Sequence, residues 1–125
     1  MREAPPPLAA MLLWVAIGAV PGALLRWWLA NTSAANLLGC FVVGASGLLA
    51  AASPRRTLLV GIGFAGSLTS FSSWIVELLG LLQGGRWGQP LRHALRDGVL
   101  GVGAILAGHA LHARLSVWRA QRLRR

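Results

Sequence analysis

The chain has no lysine, one cysteine and only three carboxylates in 125 residues, and charged residues make up 12% of it. Soluble domains carry about 25% charged residues, so this composition argues against a surface that meets water on every side. The single Cys40 excludes an internal disulfide; within an apolar run it reads as a small buried residue. All the basic residues are arginine, for a net charge of +9, which in a soluble domain would suggest nucleic acid. Here the arginines fall between and after apolar runs, where flanking charge sets membrane orientation. A nucleic-acid partner is therefore not expected. What the chain has in quantity is apolar sequence, 55% of its residues, and 16 glycines. A crossing needs about 20 residues, which leaves room for four crossings, short connections and no separate soluble domain. Arg2 followed by an apolar run looks like the start of a signal peptide, but the run continues past signal length without a clear small-residue cleavage site. It reads as an uncleaved first span.

The expected spans are residues 8–28, 34–52, 57–82 and 94–113, with a basic tail over 114–125. The first holds Gly18 and Gly22 in a GxxxG pair suited to close helix packing. Pro21 should bend that helix or end one turn of it, and Arg26 with Trp27 and Trp28 marks an interface where aromatics anchor and arginine snorkels. The second holds Asn36 near its start. An asparagine in lipid must find a partner, so it faces the bundle or a polar path; a packing hydrogen bond satisfies the same need. The third span is longer than a straight crossing, as a tilted or interrupted helix would be. The fourth has Gly98, Gly101, Gly103 and Gly108 but no Ser, Thr or Asn. His109 and His112 share a helix face with no third ligand near in sequence, so interfacial packing is expected of them and metal binding is not. The tail suits an anionic cytoplasmic leaflet.

The stretch 61–77, GIGFAGSLTSFSSWIVE, organises the chain. A segment that only crossed lipid would be aliphatic throughout; this one carries three glycines and then Thr69, Ser70, Ser72 and Ser73. Irregular backbone survives at membrane depth only when buried in protein or lining a polar cavity. Two readings stay open: a small-residue packing face, or a broken helix whose carbonyls and hydroxyls hold an ion. Glu77 is the only carboxylate read as lying well within a span. It is a functional candidate facing a cavity or a cation, or else an ion-pair partner for an arginine such as Arg26. Four spans put both termini on one side, with Arg2, Arg55, Arg56, Arg114, Arg119, Arg122, Arg124 and Arg125. Arg26, Arg86, Arg92 and Arg96 fall opposite, so the termini are expected in the cytoplasm.

Taken together, these residues resemble the Fluc (CrcB-type) fluoride channels over nearly the whole chain. Gly18, Gly22-Ala23 and Arg26 look like that family's G…GAxxR. Thr32, Asn36, Gly39 and Phe41 are similar to its TLxxNxxGxF. Residues 63–74, GFAGSLTSFSSW, look like its GFCGGLTTFSTF, and Glu77 falls where the family has a glutamate. The order, spacing and placement of these motifs make the match specific.

The resemblance implies an all-α integral membrane protein: a four-helix protomer with a broken third helix, assembled as an antiparallel (inverted) dimer in the cell membrane. It implies passive export of fluoride, and a structural sodium ion held by backbone carbonyls that here belong to Gly66 and Thr69. Sodium is hard and takes oxygen ligands, and its charge lowers the cost of nearby anions. Fluoride is small and strongly hydrated, so a dry path must replace water with donors. Asn36 offers an amide and Ser70, Ser72 and Ser73 offer hydroxyls. Phe71 offers an electropositive ring edge, and Trp74 stands where the family has a second phenylalanine. Arg26 and Glu77 are the supporting polar residues. The fourth helix departs from the family, with Gly98 and Val102 where Asn or Ser is usual. With the arginine bias, this suggests one half of a heterodimer of homologous chains, the homodimer being the alternative. Two rivals remain. A proton-coupled exporter would depend on Glu77, so its coupling would vanish on Glu77→Gln, and an accessory subunit would conduct nothing. No nucleophile is paired with a base, so an enzyme is not expected.

Overall fold

From Leu8 to Leu29 the sequence is Leu, Ala, Val, Ile and Trp with no polar side chain before Arg26, and it winds as one helix, α1 (Leu8–Leu29), straight through Pro21. The computed structural model describes residues 6–48 and 53–123. Arg2, Arg124, Arg125 and the end of the predicted second span, 49–52, lie outside the described residues. α1 closes at Ala30, which takes the left-handed conformation (φ 47°) and returns its N–H to the Arg26 carbonyl at 3.2 Å. Asn31 follows directly as the cap of α2 (Thr32–Ala45), its Oδ1 accepting from the Ala34 N–H at 2.8 Å. This side chain satisfies one of the donors that a helix start leaves free.

The third span is composite. Ser53 caps a short α3 (Pro54–Arg56), followed by π-helical turns over Thr57–Ala65 and a single α-turn, α4 (Gly66–Leu68). Thr69 and Ser70 are extended, and α5 (Phe71–Gln83) resumes the helix. After a turn at Gly85 (φ 71°), α6 (Gly88–Leu123) runs for 36 residues. Sequence hydropathy predicts α6 only over its apolar middle. The helix begins earlier because Pro90 sits in the first turn, where its missing N–H costs nothing. It ends later because a hydrogen-bond ladder does not stop where lipid does.

Glycine sets the packing. A Cβ on Gly18 or Gly22 would strike the backbone around Leu59 and Phe64, so α1 rides directly on the π-helical segment. A Cβ on Gly44 would strike the Ile105 carbonyl, and one on Gly108 the Phe41 carbonyl, so α2 and α6 meet backbone to backbone. His112 lies over Gly47, which has φ +76°, and Cys40 sits half-buried beside Gly101. Among the described residues the buried apolar residues are few (Ala35, Leu58, Ala65 and Leu68), while Leu12, Val20, Val76, Val99 and many others are exposed. An apolar exterior over helices is what lipid demands. Three helical stretches, Leu8–Leu29, Pro54–Gln83 and Gly88–Leu123, are long and apolar enough to cross a membrane, and Thr32–Ala45 is a shorter apolar helix. The chain is an all-helical, multi-pass membrane protein, with no strand among the described residues.

Candidate functional site

The polar site forms where the third span leaves the helical ladder. Thr69 still donates its N–H to the Ala65 carbonyl at 3.0 Å, and its Oγ1 donates to the same oxygen at 2.9 Å. Such back-bonding competes with the ladder and loosens it. The backbone of the next residue is claimed by another helix. Asn36 on α2 accepts the Ser70 N–H through Oδ1 at 2.8 Å and donates from Nδ2 to the Ser70 carbonyl at 3.3 Å. One amide thus replaces both partners that the interruption removes, as buried backbone groups require. It leaves Asn36 one amide hydrogen without a partner among the described residues.

Hydroxyls gather on the far side of the interruption. Ser70 Oγ caps α5 by accepting the Ser73 N–H at 3.2 Å; it lies 3.2 Å from Ser72 Oγ and donates to Ser73 Oγ at 3.1 Å. Arg26 completes the cluster from α1. Its guanidinium donates to the Thr69 carbonyl at 3.2 Å and to Ser73 Oγ. The sequence placed Arg26 at an interface; the fold turns it inward onto the interruption, where it contacts these oxygens and not Glu77.

Phe71 opens α5 with its ring 74% exposed, and the Trp74 ring lies 5.7 Å from it, tilted by 39°. The Trp74 indole N–H donates to Asp97 Oδ2 on α6 at 3.0 Å. Asp97 is the functional candidate that sequence reading missed. Its Oδ2 also accepts from Ser33 Oγ at 2.8 Å and lies 3.3 Å from His93 Nε2, while Oδ1 takes the Arg96 guanidinium at 2.8 and 2.9 Å. Asp97 therefore joins Glu77 as a carboxylate candidate. Asp97 is the more enclosed, with its side chain 12% exposed against 42% for Glu77, whose contact is His93 at 3.9 Å. In sequence Asp97 sits beside Arg96 and four residues after His93, near the start of the fourth apolar run. The usable signal was the lone acid of the fourth apolar run, one helical turn after a histidine.

Arginines line openings at both ends of the bundle. A depression of about 520 Å³ is lined by Leu81, Gln89, Arg92, His93 and Arg96. A smaller one of about 210 Å³ is lined by residues including Ser46, Arg56, His112 and Arg119. Cationic clefts with low-dielectric walls concentrate anions. No group of three His, Cys, Asp or Glu able to hold a metal occurs among the described residues.

A family model described as CrcB-like protein, Camphor Resistance (CrcB), matches residues 13–109. The chain is 49% identical to a protein of Synechococcus sp. (strain CC9902) named Fluoride-specific ion channel FluC 2, covering 90% of this chain and 81% of that one. It is 46% identical to a FluC 2 of Synechococcus sp. (strain CC9605), over 92% of each. It is 36% identical to a Fluoride-specific ion channel FluC 1 of Prochlorococcus marinus (strain NATL2A), over 82% of this chain and 89% of that one.

Proposed function

We infer that this chain, which belongs to the CrcB-like family, is a fluoride-selective channel subunit that lets fluoride leave the cytoplasm passively and so limits its toxicity. The observation that carries the reading within the fold is the Asn36–Ser70 clamp, with Ser72, Ser73 and Phe71 beside it. Fluoride gives up water only to strong donors, and amide N–H, hydroxyls and a ring edge supply them in a dry setting where each counts for more. The test is fluoride release from liposomes holding this chain, read with an electrode and compared with chloride. Fast fluoride-selective release with no imposed proton gradient is expected. Release that requires such a gradient would instead identify a proton-coupled exporter.

Assembly as an inverted dimer is part of the same proposal. The exposed apolar surface is ample for a partner, and the numbering of the relatives as FluC 1 and FluC 2 supports two homologous chains per channel. Release by this chain alone would mean a homodimer, and rescue by a co-expressed homologue a heterodimer; silence in both arms would leave an accessory subunit. Termini in the cytoplasm and residence in the cell membrane accord with Arg55, Arg56, Arg114, Arg119 and Arg122 falling on one side.

The carbonyls of Gly66 and Thr69, at the start and just past the end of α4, would offer a sodium ion oxygen ligands of the right type. The Thr69 carbonyl already accepts from Arg26, so an ion there would use its second lone pair. Bound, the ion would supply a fixed positive charge near the anion path. Replacing sodium by N-methylglucamine during purification is expected to lower the unfolding temperature, by linkage; an unchanged temperature counts against the site. Arg26→Ala removes the donor to Thr69 and Ser73. Charge-assisted hydrogen bonds contribute about 1.5–3 kcal/mol, so fluoride release should fall about tenfold or more by electrode.

A further inference from the structure

We propose that Asp97 is the positioning residue that keeps the Trp74 indole N–H out of the anion's reach, and that Arg96 balances its charge so that it can do so. The inference rests on the channel reading above.

Trp74 lies one helical turn beyond Phe71 on α5, its ring against Phe71 and next to the serine cluster. Its N–H is the strongest neutral donor that residue type can offer, and an anion beside a free indole N–H would bind it. A strong site slows passage, because conduction needs binding weak enough to leave. The fold removes that donor from use. Asp97 Oδ2 accepts it at 3.0 Å, and a hydrogen bond to a carboxylate is about twice as strong as one between neutral groups. Trp74 is left with its ring beside Phe71 and no free N–H, and the C–H edge of such a ring is a weak, evenly attractive surface for an anion.

A bare carboxylate at this place would itself repel fluoride. Two features answer that. The side chain is 12% exposed and held by Ser33 on α2 as well as by Trp74 on α5, so its Oδ2 is fixed at the junction of three helices. Its other oxygen is held by both Nε and NH2 of Arg96, with His93 Nε2 at 3.3 Å from Oδ2. Glu77, 3.9 Å from the same His93 nitrogen, and Arg92, in the adjoining depression, complete the charged groups around the junction. The acid is thus enclosed by donors and presents little charge toward the serines.

The experiment is a double-mutant cycle with a spectroscopic arm. Asp97→Ala frees the indole N–H and is expected to slow fluoride release about tenfold, the scale of one lost charge-assisted bond. Asp97→Asn keeps an acceptor for Trp74 and should restore most of the rate. In a Trp74→Phe background, which has no N–H to restrain, Asp97→Ala should cost nothing further. Equal losses from Asp97→Ala in both backgrounds would overturn the proposal and make Asp97 a general prop. The second arm uses 5-fluorotryptophan protein in fluoride-free buffer, with the Trp74 resonance assigned by its loss in Trp74→Phe. Asp97→Ala should shift and broaden that resonance and Asp97→Asn should leave it sharp; a resonance indifferent to both overturns the inference. This arm needs no transport, so a wild-type protein that releases no fluoride either alone or with a co-expressed homologue would sink the channel reading without touching the indole result.

Discussion

Asn36→Leu is expected to reduce fluoride release about a hundredfold or more, the largest effect of any single side chain on the path. The cause is that Asn36 serves both backbone groups of Ser70, at 2.8 and 3.3 Å, where the helix cannot. Leaving a buried donor or acceptor unmade costs about 1–3 kcal/mol each, and at membrane depth no water replaces the partner. Two such losses correspond to roughly thirty- to many-thousandfold at 1.4 kcal/mol per factor of ten. The backbone will escape that cost by moving Ser70, which carries with it the cap of α5 and the Ser70–Ser72–Ser73 cluster. Asn36→Asp separates the roles, because it keeps the acceptor for the Ser70 N–H but loses the donor and adds a negative charge. It should also fail to conduct, while retaining more thermal stability than the leucine variant. Electrode-recorded release from liposomes checks the rate; a leucine variant within a factor of about three of wild type, under half a power of ten, would show that Asn36 is packing only.

Gly44→Val and Gly108→Val should each prevent recovery of folded protein. The two glycines form a reciprocal contact, Gly44 on the Ile105 carbonyl and Gly108 on the Phe41 carbonyl, with the Ala45 N–H 2.7 Å from a Cβ on Gly108. These obstacles are main chain, so no rotamer relieves them and α2 and α6 must part. Small residues at such crossings are what allow helices in lipid to approach closely. Losses above about 4 kcal/mol are reserved for this kind of overpacking, and stability of the whole chain is of order 5–15 kcal/mol. Gly98→Ala and Gly103→Ala are the controls, since a Cβ at either meets nothing within 4 Å in the chain. They should behave as wild type in size-exclusion chromatography. Should they instead dissociate or aggregate, that face of α6 lies against a second chain, which would locate the dimer contact.

These contacts also show what the sequence could and could not display. The helix expected over 8–28 from an apolar run of bilayer length is α1, which ends one residue later. The glycine pair at 18 and 22 was legible as a packing face, but its partner was not, since nothing local says that Phe64 and Leu59 lie across from it. The Gly/Ser/Thr stretch drew attention to the segment in which Thr69 and Ser70 are extended. The π-helical turns before it carry no residue signature of their own. Asp97 was hidden for a different reason. Its meaning lies in Ser33, Trp74 and His93, which converge from three helices, and a charge beside Arg96 in sequence reads as ordinary punctuation until they do. Arg26 shows the same limit, since an arginine after an apolar run looks identical whether it reaches out to water or back to a carbonyl.

The far end of α6 belongs to another economy of the molecule. At 36 residues the helix rises about 54 Å, well beyond a hydrocarbon layer of about 30 Å. From Ala113 to Leu123 every residue is exposed, and the Arg122 guanidinium rests on its own Trp118 ring at 4.0 Å. The arm therefore answers to its own helical ladder more than to the bundle. Descendants of this chain could lengthen, recharge or retarget it while the serine cluster kept its geometry, so lineages should differ most where the rod leaves the membrane and least at the glycines that hold its root.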